Sequence, residues 1–479
     1  MTLPTLSRTI LAWIAASWLL AFQGLAQADL DSLDVWVRRM HPAPFLRCAP
    51  EDWNSKLDAL KLDWKDMTHM EHVREVNALL QTMQDSHAAV SAWDWMWTVE
   101  REHGSVPIRW AVEGDGLWVA ASAVDGLSTG TRVFSLNGMD AAQCAAVARD
   151  LGNVEGNSPV GQTRTGVHSL TAWVMGQTQS DTLHVQWLDR TSGAVQVAAI
   201  PGVPLRQAGK AWRPISQGVP AVQWTYPNEA NPLGLEGASL LTVSSFSQGR
   251  FGKYQRRLWK GFQHAKELGL PVVIDLRGNA GGQSARMEML WRHVATARRQ
   301  LPFGLVAKQS PETLRDIRRH YKRLRKRWVD KHKDSSQDAR YIYDLAHLPV
   351  GGLDTLEFGA QPLADWRFKG PVCLLMDGES ASATVSFAGA FQHERRGPVF
   401  GEPCLGPQQG TMGNPMLKVL PESGIVVSMS TAIYMAEAQG DWTNTSPVRP
   451  DVFIPQIWRN EDALRANLQT WIDSHTPAK

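Results

Sequence analysis

Short apolar runs alternate with helical patterns over the second half of this chain, and this alternation constrains the fold more than any other feature. Runs of consecutive apolar residues, such as Val372–Met376, are typical of strands that are buried on both faces of a parallel sheet. A layered α/β domain is the fold that places helices over such a sheet. The predicted strands are 238–243, 272–276, 372–376 and 399–400, and the predicted helices between them are 251–268, 284–298 and 382–396.

This domain, taken as residues 206–479, is predicted to end with a long strand at 424–435 and a helix at 461–472. An insertion at about 310–345 interrupts it, with apolar residues on one stripe of a helix and basic residues on the remaining face. That helix either packs against its own domain or contacts an anionic membrane or a partner. The apolar stripe, within 314–328, consists of Leu314, Ile317, Tyr321, Leu324 and Trp328.

The first residues have the layout of a secretory signal peptide. Arg8 precedes an apolar run over 10–22, and the small-residue motif Ala26-Gln27-Ala28 follows. The run is too short to span a bilayer, which takes about 20 apolar residues. We therefore expect residues 1–28 to be removed and the mature protein to be soluble, periplasmic or secreted.

Charge and cysteine content narrow the functional classes. The net charge of +2 argues against nucleic acid as a partner, and no CxxC or HExxH spacing suggests a metal or another cofactor. Cys373 and Cys404 are predicted not to bond to each other. Cys373 begins one predicted strand, and Cys404 follows the end of the neighbouring parallel strand, so the two lie at opposite edges of the sheet, about 20 Å apart. A disulfide needs Cα atoms within about 7 Å.

Residues 29–105 are predicted to form an N-terminal helical cap that ends in the segment around His87. After that segment, Trp93, Trp95 and Trp97 alternate with other residues, which predicts one face of a strand.

Residues 106–205 show short strands and turns instead of long helices. The stretch 130–138 is similar to the "GD-x-I-x-x-I-N-G" stretch of PDZ domains, although Thr131 stands where the aspartate is usual. A PDZ-like module and another small β-rich domain are both open interpretations of this region.

Three short segments that lie far apart in the chain carry residues suited to catalysis: 84–87, 275–282 and 378–384. In the third segment Ser382 begins a helix, where unpaired backbone N–H groups and the helix dipole can bind a developing oxyanion. The other interpretation of Ser382 is a helix N-cap, which serine favours.

The other two segments supply what a nucleophilic serine needs. Gly281 and Gly282 have no side chains, so their backbone can approach a substrate carbonyl closely. His87 is a candidate base, because histidine side chains titrate near neutral pH.

Together the segments resemble the tail-specific, or C-terminal processing, serine peptidase family, in the histidine-using branch that includes the tricorn protease core. The family pattern "DLR-x-N-x-GG" stands here at 275–282, "S-A-S-x-(S/T)" at 380–384 and the "GE-(x)-T/F-G" loop at 401–406. His41-Pro42 and 448–451 also match, so the resemblance runs collinearly from about residue 30 to 455. It implies a ClpP/crotonase-like layered α/β core and no cofactor.

The resemblance assigns roles to individual residues. It implies Ser382 as the nucleophile, His87 as the base and Ser86 as a supporting hydroxyl. The implied oxyanion hole consists of the backbone N–H groups of Ala383 and of Gly281 or Gly282.

Two departures from the family pattern bear on the mechanism. Many members place a lysine base 25 residues after the serine, where this chain has Pro407, and Lys418 lies farther along on a predicted strand. The carboxylate that helps to orient the histidine falls near Asn444.

The sequence therefore predicts a serine endopeptidase that hydrolyses peptide bonds of unfolded or C-terminal protein segments through an acyl-enzyme on Ser382. The alternative is a catalytically inactive scaffold that binds peptides through the PDZ-like module. An α/β-hydrolase esterase does not fit, because its order of serine, acid and histidine differs from the order here.

Overall fold

The computed structural model describes residues 28–189, 192–204, 206–208, 220–296, 304–315, 345, 347–357, 365–436 and 441–476. Its helices are α1 Ala28–Met40, α2 Pro50–Asp63, α3 His69–Gln81, α4 Ala92–His103, α5 Ala141–Leu151, α6 Pro159–Thr178, α7 Phe251–Leu268, α8 Ser284–Val294, α9 Ala383–His393 and α10 Glu461–His475. Its strands are β1 Ala89–Val90, β2 Ile108–Glu113, β3 Gly116–Ser122, β4 Arg132–Leu136, β5 Met139–Asp140, β6 Thr182–Leu188, β7 Val195–Pro201, β8 Gln223–Thr225, β9 Ser239–Thr242, β10 Val272–Asp275, β11 Gly304–Lys308, β12 Leu353–Glu357, β13 Val372–Met376, β14 Val399–Gly401, β15 Thr411–Gly413, β16 Met416–Val419, β17 Val426–Met429, β18 Ala432–Met435 and β19 Val452–Phe453.

The predicted α/β layering is present in the second half of the chain. One sheet has the order β19-β14-β13-β10-β9-β8, parallel except for β8. Ile274 and Leu374 face a core shared with α7, α8 and α9, whereas Val273 and Leu375 face one shared with α10. Both faces are covered, which explains why these strands are apolar without alternation.

The strand predicted at 424–435 is instead two strands. β17 pairs with β1 and β16 in a three-stranded sheet, and β18 joins β11, β12 and β15 in a four-stranded sheet. The chain changes sheets at Ser430 and Thr431, a step that strand propensity does not reveal.

The N-terminal helices form as predicted, and Thr68 caps α3 in a capping box with Glu71. The strand predicted through the tryptophans is wrong, because that segment is α4. Trp95 and Val99, one helical turn apart, are the buried residues of α4, so the buried face has helical spacing.

Residues 106–203 form an antiparallel sheet of order β2-β3-β4-β6-β7, with α5 and α6 packed against it. The 20-residue α6 was not predicted, because this region was expected to form short strands and turns. One apolar core extends from Leu30 in α1 to Ile200 in β7, so this β-rich region and the N-terminal helices pack together.

Some predictions concern residues outside the described part of the chain. These are the signal peptide up to residue 27 and the basic helix beyond Arg315. Within the described ranges, no helix combines the length and the apolar character that crossing a membrane requires. All four cysteines are free, in agreement with the prediction for Cys373 and Cys404.

Candidate active site

Ser382 connects β13 to α9 in an unusual backbone conformation, with φ 54° and ψ −120°. For a residue with a Cβ, such a conformation costs about 1–3 kcal/mol and persists only where the surrounding structure imposes it. Ser382 stands at the N-cap position of α9, yet its side chain makes no capping hydrogen bond. The N-cap interpretation therefore fails to account for the hydroxyl.

Ser380, two residues earlier, has a different environment. Its side chain is fully buried, and its hydroxyl donates to the carbonyl of Leu276 at 3.0 Å and accepts from the amide of Asp377 at 3.1 Å. These bonds fasten the serine loop to the end of β10 and leave Ser380 no access to a substrate.

The glycine loop lies directly against the serine loop. At Gly281, φ is +90°, and an added Cβ would stand 2.7 Å from the Cβ of Ser382. Asn279 joins the two loops: its carbonyl accepts from the amide of Ala381 at 3.1 Å, and its side-chain oxygen accepts from the amide of Gly281 at 2.9 Å. Only glycine fits at position 281.

The Gly281–Gly282 peptide has a defined orientation. The carbonyl of Gly281 accepts from the amide of Phe246 at 3.0 Å. In a trans peptide the following N–H points the opposite way, so the amide of Gly282 is directed away from Phe246. Ala383, the first residue of α9, presents an N–H that has no partner within the helix.

One cavity of about 670 Å³ brings the predicted site residues together. Ser86 is not part of its lining and lies behind the histidine, on the wall of a neighbouring cavity. The predicted residues that line the first cavity are His87, Gly281, Gly282, Ser382 and Ala383.

His87 is held from behind by polar groups. Its amide donates to Asp85 Oδ1 at 2.8 Å, and its Nδ1 lies 3.3 Å from Ser86 Oγ and 4.0 Å from Glu155 Oε2. The Ser86 hydroxyl donates to Glu155 Oε2 at 2.8 Å. A hydroxyl thus lies between the imidazole and a carboxylate.

Glu155 is the residue that sequence reasoning missed. Its buried carboxylate also pairs with Arg47 at 2.9 Å and accepts from the amides of Ser86, at 3.0 Å, and Met412, at 3.1 Å. It lies between α5 and α6 in no recognisable motif, 69 residues from its Ser86 partner. Its isolation in the β-rich region leaves no sequence signal.

Residues 238–454 match the model of peptidase family S41. The chain is a serine-type peptidase, and the resemblance inferred from its motifs is confirmed.

Two structures of mature CPAF share the fold of this chain. Mature CPAF complexed with lactacystin has a TM-score of 0.64 at 11% identity, covering 94% of this chain and 99% of that chain. Another structure of mature CPAF gives 0.57 at 12% identity, with the same coverage of 94% and 99%. The photosystem II D1 C-terminal processing protease gives 0.42 at 13% identity, covering 90% and 94%. No curated protein matches the chain.

The positions where this chain departs from the family pattern have other partners. Pro407 accepts a hydrogen bond from the Thr411 hydroxyl at 2.8 Å. The ammonium group of Lys418, on β16, stands 5.6 Å from the centre of the Trp36 ring and 3.8 Å from Glu312. Asn444 lines a separate cavity. Glu155 occupies the place beside Ser86 instead.

Asp85 also fixes the histidine segment, and its Oδ1 lies 3.9 Å from His87 Nδ1. The amide of Ala43 donates to His41 Nδ1 at 3.1 Å, so the hydrogen of this buried imidazole is on Nε2 and is donated to Asp85 at 3.0 Å. Burial would raise the pKa of Asp85, but the hydrogen bond from His41 and the proximity of His87 hold that pKa below its ordinary value. Through its hydrogen bond with the His87 amide, the Asp85 carboxylate anchors the His87 backbone.

Within the described ranges, Asp85, His87 and Glu155 offer ligand atoms that all lie within 4.8 Å of one another, as a metal site would. Both carboxylates, however, already accept hydrogen bonds from protein donors, namely the His87 amide for Asp85 and the Ser86 hydroxyl for Glu155. The arrangement is explained by orientation of the histidine.

Proposed function

We propose that this chain is an exported serine endopeptidase that cleaves unfolded or C-terminal protein segments with Ser382 as nucleophile and His87 as base. The observation that carries the proposal is that Ser382, strained and uncapped, shares one cavity with His87. A nucleophile and a base that face the same cleft are the minimum for acyl transfer.

The reaction follows from these positions. His87 takes the proton of the Ser382 hydroxyl while Oγ attacks the peptide carbonyl. The protonated imidazole then gives that proton to the leaving amine, and a water molecule hydrolyses the acyl-enzyme by the same route in reverse. The amides of Ala383 and Gly282 stabilise the oxyanion, since the amide of Gly281 is engaged by Asn279.

Ser86 and Glu155 determine which nitrogen of His87 acts as the base. Because the Ser86 hydroxyl donates to Glu155, its lone pair is available to accept from His87 Nδ1–H. Nε2 is then unprotonated and free to accept from Ser382. Glu155 stabilises the imidazolium that forms during attack, as the aspartate does in other serine peptidases.

The alternative is a catalytically inactive scaffold in which residues 106–203 bind peptides in a PDZ-like manner. The absence of a lysine base, with Pro407 in its place, favours this alternative. The Ser382, His87 and Glu155 arrangement favours catalysis, because it supplies a base by another route.

Labelling with a fluorophosphonate distinguishes the two. We expect the wild-type protein to become covalently labelled and Ser382→Ala to remain unlabelled, with matching circular dichroism spectra. If a folded wild-type protein neither reacts with the reagent nor cleaves denatured casein, the protein is the catalytically inactive scaffold. Export is tested separately, by cell fractionation and N-terminal sequencing of the mature protein, which we expect to begin after Ala28.

A further inference from the structure

One face of α4 presents tryptophan to solvent beside the active site. Trp93 is 86% exposed and Trp97 is 56% exposed, whereas Trp95 between them is 7% exposed. Exposing an indole ring forfeits the stabilisation that its burial would provide, about 25 cal/mol per Å² of apolar surface. An exposed ring at the edge of a catalytic cleft therefore suggests contact with a ligand.

Trp93 and His87 border two adjoining cavities. The first is the cavity that contains Ser382. The second, of about 490 Å³, also borders His87 and is lined by apolar side chains such as Val90, Leu151 and Leu417 and by polar ones such as Asn77, Asn153 and Ser428. Trp97, on the same helix, lines neither cavity.

The direction of proton transfer tells which part of a substrate meets the second cavity. The histidine that accepts the serine proton delivers it to the leaving amine, so that amine must lie beside His87. The chain that continues from the amine, on the C-terminal side of the cleaved bond, then runs past His87 toward the second cavity.

We propose that the second cavity is a binding subsite for a bulky apolar side chain on the C-terminal side of the cleaved bond, and that Trp93 is its specificity-determining residue. The inference rests on the proposed function. It assigns the substrate class as peptides with leucine, isoleucine, methionine or phenylalanine one or two residues after the cleavage point.

Cleavage-site profiling tests this assignment. Wild-type protein and the variants Trp93→Ala, Trp93→Phe and Trp97→Ala digest denatured casein, and mass spectrometry locates the cleaved bonds. Quenched peptides built around the preferred bond then carry either leucine or alanine at the first or second position after it. The leucine-to-alanine ratio of kcat/KM is the measured quantity.

We expect a wild-type ratio of about 10 or more at one of these positions, the range that a hydrophobic pocket gives for a few methylene groups. Trp93→Ala should lower that ratio severalfold, Trp93→Phe should retain most of it because the aromatic surface remains, and Trp97→Ala should leave it unchanged. Because both tryptophans are exposed, the variants should fold as the wild type does, and thermal melts check this.

The proposed subsite is overturned if the wild-type enzyme shows no preference for apolar residues after the cleaved bond. It is also overturned if the leucine-to-alanine ratio of kcat/KM is unchanged in Trp93→Ala. Either result leaves the proposed peptidase intact, since cleavage itself is observed. Failure of the wild-type protein to cleave casein or to react with fluorophosphonate is the different outcome that overturns the peptidase and the subsite together.

Discussion

Ser382 combines a positive φ with a hydroxyl that does not cap its helix, whereas Ser380 uses its hydroxyl to hold the loop. The two serines belong to the same short motif, but their environments differ. Ser382 has a strained backbone and faces a cavity, whereas Ser380 is buried and its hydroxyl is hydrogen-bonded. At the residue scale, function is therefore carried by the local environment and not by the residue type.

The first prediction concerns these serines. Ser382→Ala should abolish peptide hydrolysis and labelling without loss of folding, because the hydroxyl makes no capping bond. Ser380→Ala should remain active but lose about 1–2 kcal/mol of unfolding free energy with its buried hydrogen bonds. Urea denaturation and kcat/KM measure both. Turnover in Ser382→Ala together with an inactive, folded Ser380→Ala would identify Ser380 as the nucleophile instead.

The second prediction concerns the base. His87→Ala should lower kcat/KM about a hundredfold or more, the usual contribution of a general base, whereas Lys418→Ala should have little effect. Full activity in His87→Ala with loss in Lys418→Ala would indicate a serine–lysine mechanism instead.

The third prediction concerns Glu155 as a positioning residue. Glu155→Gln should lower kcat about tenfold or more with little change in KM, since the charge that stabilises the imidazolium is lost. Glu402→Gln is the matched control, because Glu402 is also buried and paired with an arginine, Arg164, but does not contact His87. Both variants should lose stability. An equal effect of the two on kcat would mean that Glu155 acts only in folding.

At the scale of elements, the glycine loop after β10 and the start of α9 form one unit. Asn279 links both, and it also donates to the carbonyl of Val243 at 2.9 Å, after β9. The nucleophile and the oxyanion donors therefore keep their separation through hydrogen bonds among three neighbouring strand ends. Such fixed geometry is what electrostatic stabilisation of a transition state requires.

The fourth prediction tests this unit. Gly281→Ala should lower kcat/KM about a hundredfold, because the new methyl group would collide with the Ser382 side chain and displacement of about 1 Å has effects of this size. Gly269→Ala is the control, since Gly269 also has positive φ, +65°, but open space around it. It should cost about 1 kcal/mol of stability and leave activity unchanged. Equal losses of activity would assign the effect to backbone strain alone.

At the scale of the whole molecule, the candidate active site is assembled from two packed parts of the chain. Ser382 comes from the α/β domain, whereas His87 and Glu155 come from the preceding helical and β-rich regions. Ion pairs connect these parts, among them Arg164 with Glu402 and Arg459 with Glu113. Relative movement of the two parts would separate Ser382 from His87.

The fifth prediction uses the contact of Glu379 with His168, at 3.3 Å, across this interface. Burial would raise the pKa of Glu379, but the charges of His168 and Arg109 lower it to about 2. A carboxyl with a lowered folded pKa stabilises the protein above its unfolded pKa, so this contribution should disappear as the pH falls from about 4.5 toward 2. Glu379→Gln should therefore lose less stability than wild type over that range.

Denaturant unfolding at several pH values measures this difference. Glu267→Gln serves as the control, because Glu267 pairs with His264 on the surface and is 74% exposed. Its acid dependence should match that of the wild type. A Glu379→Gln curve parallel to the wild-type curve would show that the interface charge does not contribute.

The sequence by itself predicted the layered α/β domain and proposed Ser382 and His87 as candidate catalytic residues. This information is local, because apolar runs, helical spacing and short motifs depend on neighbouring residues only. The sequence failed where two local patterns were equally compatible with the same residues. Alternating tryptophans suited a strand, yet packing of Trp95 and Val99 made the segment a helix.

Only the tertiary structure shows which groups surround His87 and that the amide of Gly281 is engaged. Glu155 reaches the histidine only because Ser86, Arg47 and Met412, at separations of 69, 108 and 257 residues, converge on its carboxylate. The amide of Gly281 is unavailable because Asn279 folds back onto it. Contacts between distant segments depend on the packing of whole elements, and no short-range pattern in the chain encodes them.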